Sequence, residues 1–273
     1  MVKVGIVQLN TGNEIAAAVD AAEAHVRAAA EVGAQLVTTP ETTHLMEMDR
    51  KAVLEKACFE ADDPGLKRFQ ALAKDLGIWL HIGSLIIKVA DDRLANRSFL
   101  ISPEGKVKAR YDKLHLFDVD LPNGESYRES RLYEAGKEAV LVETPFGKIG
   151  LTICYDLRFP HLYRMLAEKG ADIIMVPAAF TVKTGEAHWE ILLRARAIET
   201  GCYVIAAAQT GLHATGRSTY GHSLAVNPWG KLMADAGTPK GITIVDLDLA
   251  KVGKTRLSMP NLQHKRPFGC QTV

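Results

Sequence analysis

Apolar positions along the 273-residue chain change period repeatedly, and each change marks an element. The opening VKVGIVQL is rich in β-branched residues and ends at the turn cluster Thr11-Gly12-Asn13, which predicts a buried strand. Ile15, Val19, Ala22, Val26 and Ala29 then recur at steps of four and three, the period of a helix, and Gly33 follows its end. Gln35–Thr39 reads as the next strand, closing on Pro40-Glu41. Asp63-Pro64 is a favourable cap and first position for a second helix, with Leu66, Phe69, Leu72, Ala73 and Leu76 on its apolar face and Gly77 as its stop. Strands are expected at Ile78–Gly83, Leu94–Ile101 and Val107–Tyr111, the last two joined by the turn Pro103-Glu104-Gly105. Residues 112–136 are polar and lack clean periodicity; a loop that long in a compact domain is either disordered or functional. Beyond it, strands are expected at Val140–Thr144, Lys148–Ile153, Asp172–Val176, Tyr203–Ala208, His222–Val226, Leu232–Ala236 and Ile242–Asp246, with helices at Pro160–Lys169 and Glu186–Thr200.

Helices interleave with strands to both ends, and no Pro/Ser-rich linker, low-complexity tract or charge block divides the chain. This predicts one α/β domain over residues 1–273, with a core at about 2–250 and a C-terminal tail at 251–273. The strand count suits two packed sheets with helices outside better than one open sheet. Lys and Arg total 33 against 32 Asp and Glu, so the basic excess expected of a nucleic-acid binder is missing. Apolar runs are far shorter than the ~20 residues that span a bilayer, and the N-terminus does not read as a signal peptide. A cytoplasmic protein with no membrane or nucleic-acid partner is expected. Cys58, Cys154, Cys202 and Cys270 lie far apart without metal-ligand spacing, so they read as reduced thiols and no metal is expected. Neither GxGxxG nor GxxxxGK[ST] occurs, which disfavours a nucleotide, and no cofactor is expected.

Three residues invite chemistry. Cys154 follows an apolar strand and precedes a helix, the kind of turn at which α/β enzymes expose a nucleophile to backbone N–H groups; a buried core thiol is the alternative. Glu41 stands at the end of a strand and Lys113 opens the long polar segment; for each, a solvated charge is the alternative. A Cys–His pair would instead need a histidine beside Cys154, with His188 and His222 the better candidates among nine.

Three motifs, Pro40–Thr42 (PET), Tyr111–Asp118 (YDKLHLFD) and Cys154–Pro160 (CYDLRFP), make the chain resemble the nitrilase superfamily of carbon–nitrogen hydrolases. The likeness runs from VKVGIVQLN to Asn261–Pro267, and the steps of 72 residues from Glu41 to Lys113 and 41 from Lys113 to Cys154 suit the family order. The resemblance implies an α-β-β-α sandwich doubled into an eight-layered homodimer, or a larger even assembly to which the 186–200 helix contributes. It implies a Glu41–Lys113–Cys154 triad without cofactor: Glu41 as base and acid, Cys154 as nucleophile, and Lys113 with the Tyr155 backbone N–H as oxyanion donors. Glu129 matches an additional active-site glutamate, and Phe180 and Thr181 match a pocket-lining segment. Arg158 is a candidate partner for a substrate carboxylate, with a structural ion pair to Asp156 or a helix end as the equal alternative. Within the superfamily the amidase branch fits best. The expected substrate is a long keto-amide with two carboxylates, with Arg128 or Arg217 at the far one. A small ω-amide is the alternative substrate, and a non-catalytic interaction protein retaining the fold is the alternative of another class.

Overall fold

The computed structural model describes residues 1–121 and 124–272. Two sheets form its centre. The first runs in the order Gly241–Leu247, Val2–Gln8, Leu36–Thr38, Trp79–Ala90, Arg93–Ile101, Val107–Asp112, with Cys58–Phe59 pairing alongside Trp79–Ala90. The second runs Leu232–Asp235, Leu224–Val226, Tyr203–Ala206, Ile173–Met175, Gly147–Leu151, Val140–Thr144. In each sheet three central strands are parallel and the flanking strands antiparallel.

Alternation along the strands separates the layers, because successive side chains leave opposite faces. Val4, Ile6, Leu36 and Leu100 share a core with Ile149, Leu151, Ile173 and Ile205 of the second sheet. Val37, Leu80, Phe99 and Ile101 point the other way, against helices α1 (Ile15–Glu31) and α3 (Pro64–Leu76). The second sheet is covered by α4 (Pro160–Glu168) and α5 (Val182–Thr200), so the architecture is the expected α-β-β-α sandwich. Helix α3 begins and ends as its sequence dictates: the Asp63 carboxylate accepts from the Leu66 N–H at 2.7 Å, and Gly77 closes it with φ +64°.

Two helices and two short ribbons are among the elements without a signature in the sequence, each for lack of an apolar stripe. Helix α2 (Arg50–Lys56) buries only Val53 and is fixed locally, by the Asp49 side chain accepting from Ala52 N–H at 2.8 Å. Helix α6 (Ala250–Ser258) buries only Val252 and occupies the start of the segment taken as a tail. A short ribbon pairs Thr210–Leu212 with Ser218–Tyr220. Within 112–136, Asp118–Asp120 and Ser126–Arg128 also pair, and a 3₁₀ turn follows at Glu129–Arg131. That ribbon is held by polar side chains, Arg128 and Ser126 on Asp120, so it leaves no hydrophobic signature. Pro122 and Asn123 of this segment, and Val273 of the expected tail, lie outside the described residues.

Candidate active site

Glu41, Lys113 and Cys154 leave the C-terminal ends of three different strands and meet beside one cavity. That is where parallel strands leave a crevice. One close approach decides whether they can meet. A Cβ on Gly83 would run into the carbonyl oxygens of Thr39 and Pro40 and into the Pro177 ring, so only glycine lets these segments touch. The Pro177 carbonyl in turn accepts the Cys154 N–H at 2.9 Å. Cys154 opens the 3₁₀ turn Cys154–Arg158 with φ +46°, a strained conformation for a residue with a side chain. The Tyr155 N–H lies in the first positions of that turn, where no acceptor exists within the turn itself, and Tyr155 lines the cavity.

The charged groups form one buried cluster. The Lys113 ammonium donates to Glu41 Oε1 at 2.9 Å and to both Glu129 oxygens, at 2.9 and 3.2 Å. Glu41 Oε2 accepts the Ala179 N–H at 2.8 Å. Asn96 Nδ2 donates to Glu41 Oε1 at 2.8 Å and to Glu129 Oε1 at 3.2 Å, and the Phe117 N–H donates to Glu129 Oε2 at 2.6 Å. Carboxylates only accept, so both Asn96 contacts require its amide nitrogen; its Oδ1 is left buried without a partner.

Burial pushes the Glu41 carboxyl up, but the adjacent Lys113 ammonium, helped by Arg217, more than offsets this and holds it below the usual carboxylate range. Burial works against the Lys113 charge too, yet Glu129 and Glu41 together raise it well above its ordinary value. Burial and the charge of the nearby Glu41 carboxylate push Cys154 well up. The site therefore places the Cys154 thiol near the Glu41 carboxylate and the Lys113 ammonium.

A second buried carboxylate ties two of these segments together. Asp156 Oδ2 accepts from the Tyr111 hydroxyl at 2.6 Å and the Ile153 N–H at 2.8 Å. Its Oδ1 accepts from the His115 N–H at 3.0 Å and from His115 Nδ1 at 2.7 Å. Lys113 thus sits between two residues bound to Asp156, and Cys154 between Ile153 and Asp156 itself. His115 is backed by Phe159, stacked with ring centres 3.5 Å apart.

The cavity measures about 660 Å³, within the usual range of small-molecule sites. Phe180, Thr181, Arg128 and Arg217 line it, as do Arg50 and Arg131. Arg217 donates to the Ala179 carbonyl at 2.6 Å, lies over the Tyr127 ring, and keeps a buried Nε without a partner. Arg128 is held by Asp120. Arg158 is not among the lining residues: its guanidinium lies over Phe180, 5.4 Å from the ring centre, and touches His188 Nδ1 at 3.3 Å. Its alternative partner, Asp156, is occupied as described. Neither histidine of the Cys–His alternative reaches the thiol; His222 binds Asp235 and His188 faces Arg158. Among the described residues, no group of three or more His, Cys, Asp or Glu side chains is arranged to hold a metal ion. No helix among them is long and apolar enough to cross a membrane.

Sequence reasoning missed Asn96, Asp156 and the Ala179 amide. Asn96 left a faint signal as a polar residue inside the apolar run Leu94–Ile101, whereas the Ala179 N–H has no side-chain signature at all.

Comparison with known proteins supplies an independent line. The model of the carbon–nitrogen hydrolase family matches residues 3–257. Deaminated glutathione amidase of Yersinia enterocolitica is 44% identical over 239 residues, covering 86% of this chain and 82% of that protein. The protein of the same name from Synechocystis sp. is 42% identical over 248 residues, covering 89% and 90%. Among solved structures, the C. elegans NitFhit protein superposes with a TM-score of 0.91 at 36% identity, over 97% of this chain and 65% of that longer one.

Proposed function

The chain belongs to the carbon–nitrogen hydrolase family, and from that membership we propose that it is a Cys154-dependent amidase whose substrate is deaminated glutathione. The observation that carries the reading is the buried pair of the Glu41 carboxylate and the Lys113 ammonium, which lines one cavity together with Cys154.

In this reading Cys154 Sγ attacks the amide carbon as its proton passes to Glu41, and the carbonyl electrons move onto oxygen. Lys113 and the Tyr155 N–H receive that oxyanion. Glu129 keeps the ammonium in place with both of its oxygens. Collapse of the adduct breaks the C–N bond, and Glu41 returns the proton to the departing amine. Water then attacks the thioester with Glu41 again as base, the acid leaves, and the proton goes back to sulfur. Glu41 suits both duties, since it starts as a carboxylate within reach of the thiol.

Deaminated glutathione is 2-oxoglutarate in amide linkage to cysteinylglycine, so it carries a carboxylate at each end. The acyl-side carboxylate falls to Arg217, whose Nε is unpaired, and Thr181 of the same lining supplies a hydroxyl; Arg158, the candidate named from the sequence, lies outside the lining. The enzyme works as a homodimer or larger even assembly, supported by the exposure of Ile191 and Ile198 on α5 and Met165 on α4. A cytoplasmic setting suits it, because a reducing compartment keeps the nucleophile a thiol.

The test is kcat/KM for deaminated glutathione against 2-oxoglutaramate on one preparation, with Cys154→Ala as control. Preference for deaminated glutathione and loss of all turnover in a folded Cys154→Ala are expected. Preference for 2-oxoglutaramate would reassign the substrate to a small ω-amide, and activity surviving in Cys154→Ala would refute the mechanism.

A further inference from the structure

The lining of the cavity has two unlike arms, told apart by their contacts. In one, Phe117 packs on Tyr155 and Tyr127, and Arg217 lies over the Tyr127 ring. The other is the stretch that follows Glu41 in the chain: Leu45 and Met46 are buried, and Met48 and Arg50 are exposed. Leu45 packs in one apolar cluster with Val53, Ile86 and Leu132, so this second arm has a hydrocarbon floor. Arg131, next to Leu132, joins Arg50 on its exposed edge.

The charges on this arm are unbalanced. Its carboxylate, Glu47, is taken by the Lys56 ammonium and by the N–H groups of Met48 and Asp49. Among the described residues, neither the Arg50 nor the Arg131 guanidinium has a carboxylate partner. Arg128 on the opposite arm, by contrast, is neutralised by Asp120. Two free guanidinium groups at the lip of an apolar trough suit a ligand with an apolar or soft middle and an anionic end.

We propose that this arm is the binding site for the leaving amine, with Leu45, Met46, Val53 and Ile86 receiving its side chain and Arg50 and Arg131 its carboxylate. The direction follows from proton transfer: Glu41 must face the departing nitrogen to protonate it, and the chain that carries Glu41 runs on through Leu45, Met46 and Arg50, which line the same cavity. The inference rests on the amidase reading above and extends it from the acyl half of the substrate to the amine half. For deaminated glutathione, the cysteinyl side chain lies against Met46 and the glycine carboxylate meets the two arginines. Thioether and thiol are both polarizable and weakly hydrated, so the contact costs little desolvation.

The test measures 2-oxoglutarate release from deaminated glutathione and from the same compound with its glycine carboxylate converted to a carboxamide. Wild type is expected to favour the acid about three- to tenfold in kcat/KM, mostly through KM, the size suited to rim-exposed ion pairs. In Arg50→Ala/Arg131→Ala the ratio falls towards one, and Arg50→Lys/Arg131→Lys restores part of it. A wild-type ratio of one, or a double variant that keeps the full ratio, overturns the subsite while the amidase reading stands, because both compounds still yield 2-oxoglutarate. No 2-oxoglutarate from either compound would overturn the amidase reading and the subsite with it.

Discussion

Replacing Lys113 by Met removes the cation that touches both Glu41 and Glu129, and the consequences for activity and stability run in opposite directions with pH. The side chains of Lys113, Glu41 and Glu129 are 3%, 5% and 13% exposed, so water cannot take over the lost partner. Breaking a buried pair in this way costs about 3–5 kcal/mol. At about 2 °C per kcal/mol for a chain of this length, Tm falls by about 6–10 °C where Glu41 must stay ionised. In wild type the Glu41 carboxyl is held below its ordinary value. Its contribution to stability is thus present above the unfolded value of about 4.3 and is lost as pH falls through the folded one. Without Lys113, burial dominates and the folded value rises above the unfolded one. The contribution is then full below about 4.3 and is lost as pH rises through the raised value. The Tm gap between wild type and variant should therefore be small at pH 5 and largest at pH 8. Activity behaves oppositely. Loss of an oxyanion donor costs about 10²–10³ in rate, and protonation of Glu41 adds a further loss that is greatest at low pH. Melting curves by near-ultraviolet circular dichroism and kcat/KM at pH 5, 6.5 and 8 test both. A loss below tenfold at pH 8, or a Tm gap that does not widen with pH, would refute the coupling of Glu41 to Lys113.

Asp156→Asn should lower kcat by at least tenfold with KM little changed, because it releases the segments carrying Lys113 and Cys154 without altering the cavity wall; an equal rise in KM would mean that the cavity itself had collapsed. His115→Ala, at a residue that does not line the cavity, should reproduce part of that kcat loss, and His115→Asn, which can still donate to Asp156, should restore some of it. Gly83→Ala forces Thr39, Pro40 and Pro177 apart and should cost about 1–3 kcal/mol as overpacking, with activity lost beyond what the Tm change explains; wild-type turnover in this variant would show that the approach is not needed. Light scattering at micromolar concentration should give twice the 29.8 kDa chain mass or a larger even multiple, and a stable monomer would remove the assembly proposal.

What the sequence determined by itself is local. Period-two and period-3.6 patterns place the strands and helices α1, α3, α4 and α5, because each of these buries one continuous face. Glu41, Lys113 and Cys154 are legible through the resemblance of their three motifs to the nitrilase superfamily, since strand-end position by itself leaves a solvated charge or a buried thiol open. Helices α2 and α6 and the polar ribbon at 118–128 are not legible, since they bury too few side chains for a period to form. What only the tertiary structure decided is how the charges are paired. Glu41 is ionised because Lys113, 72 positions away, lies 2.9 Å from it, and its other oxygen is held by an amide 138 positions away. Asp156 clamps residues 41 and 45 positions distant, and Arg217 lines the cavity while Arg158, four residues from Cys154, does not. Such pairings depend on distance and on the exclusion of water, and both exist only after the two sheets have closed on each other.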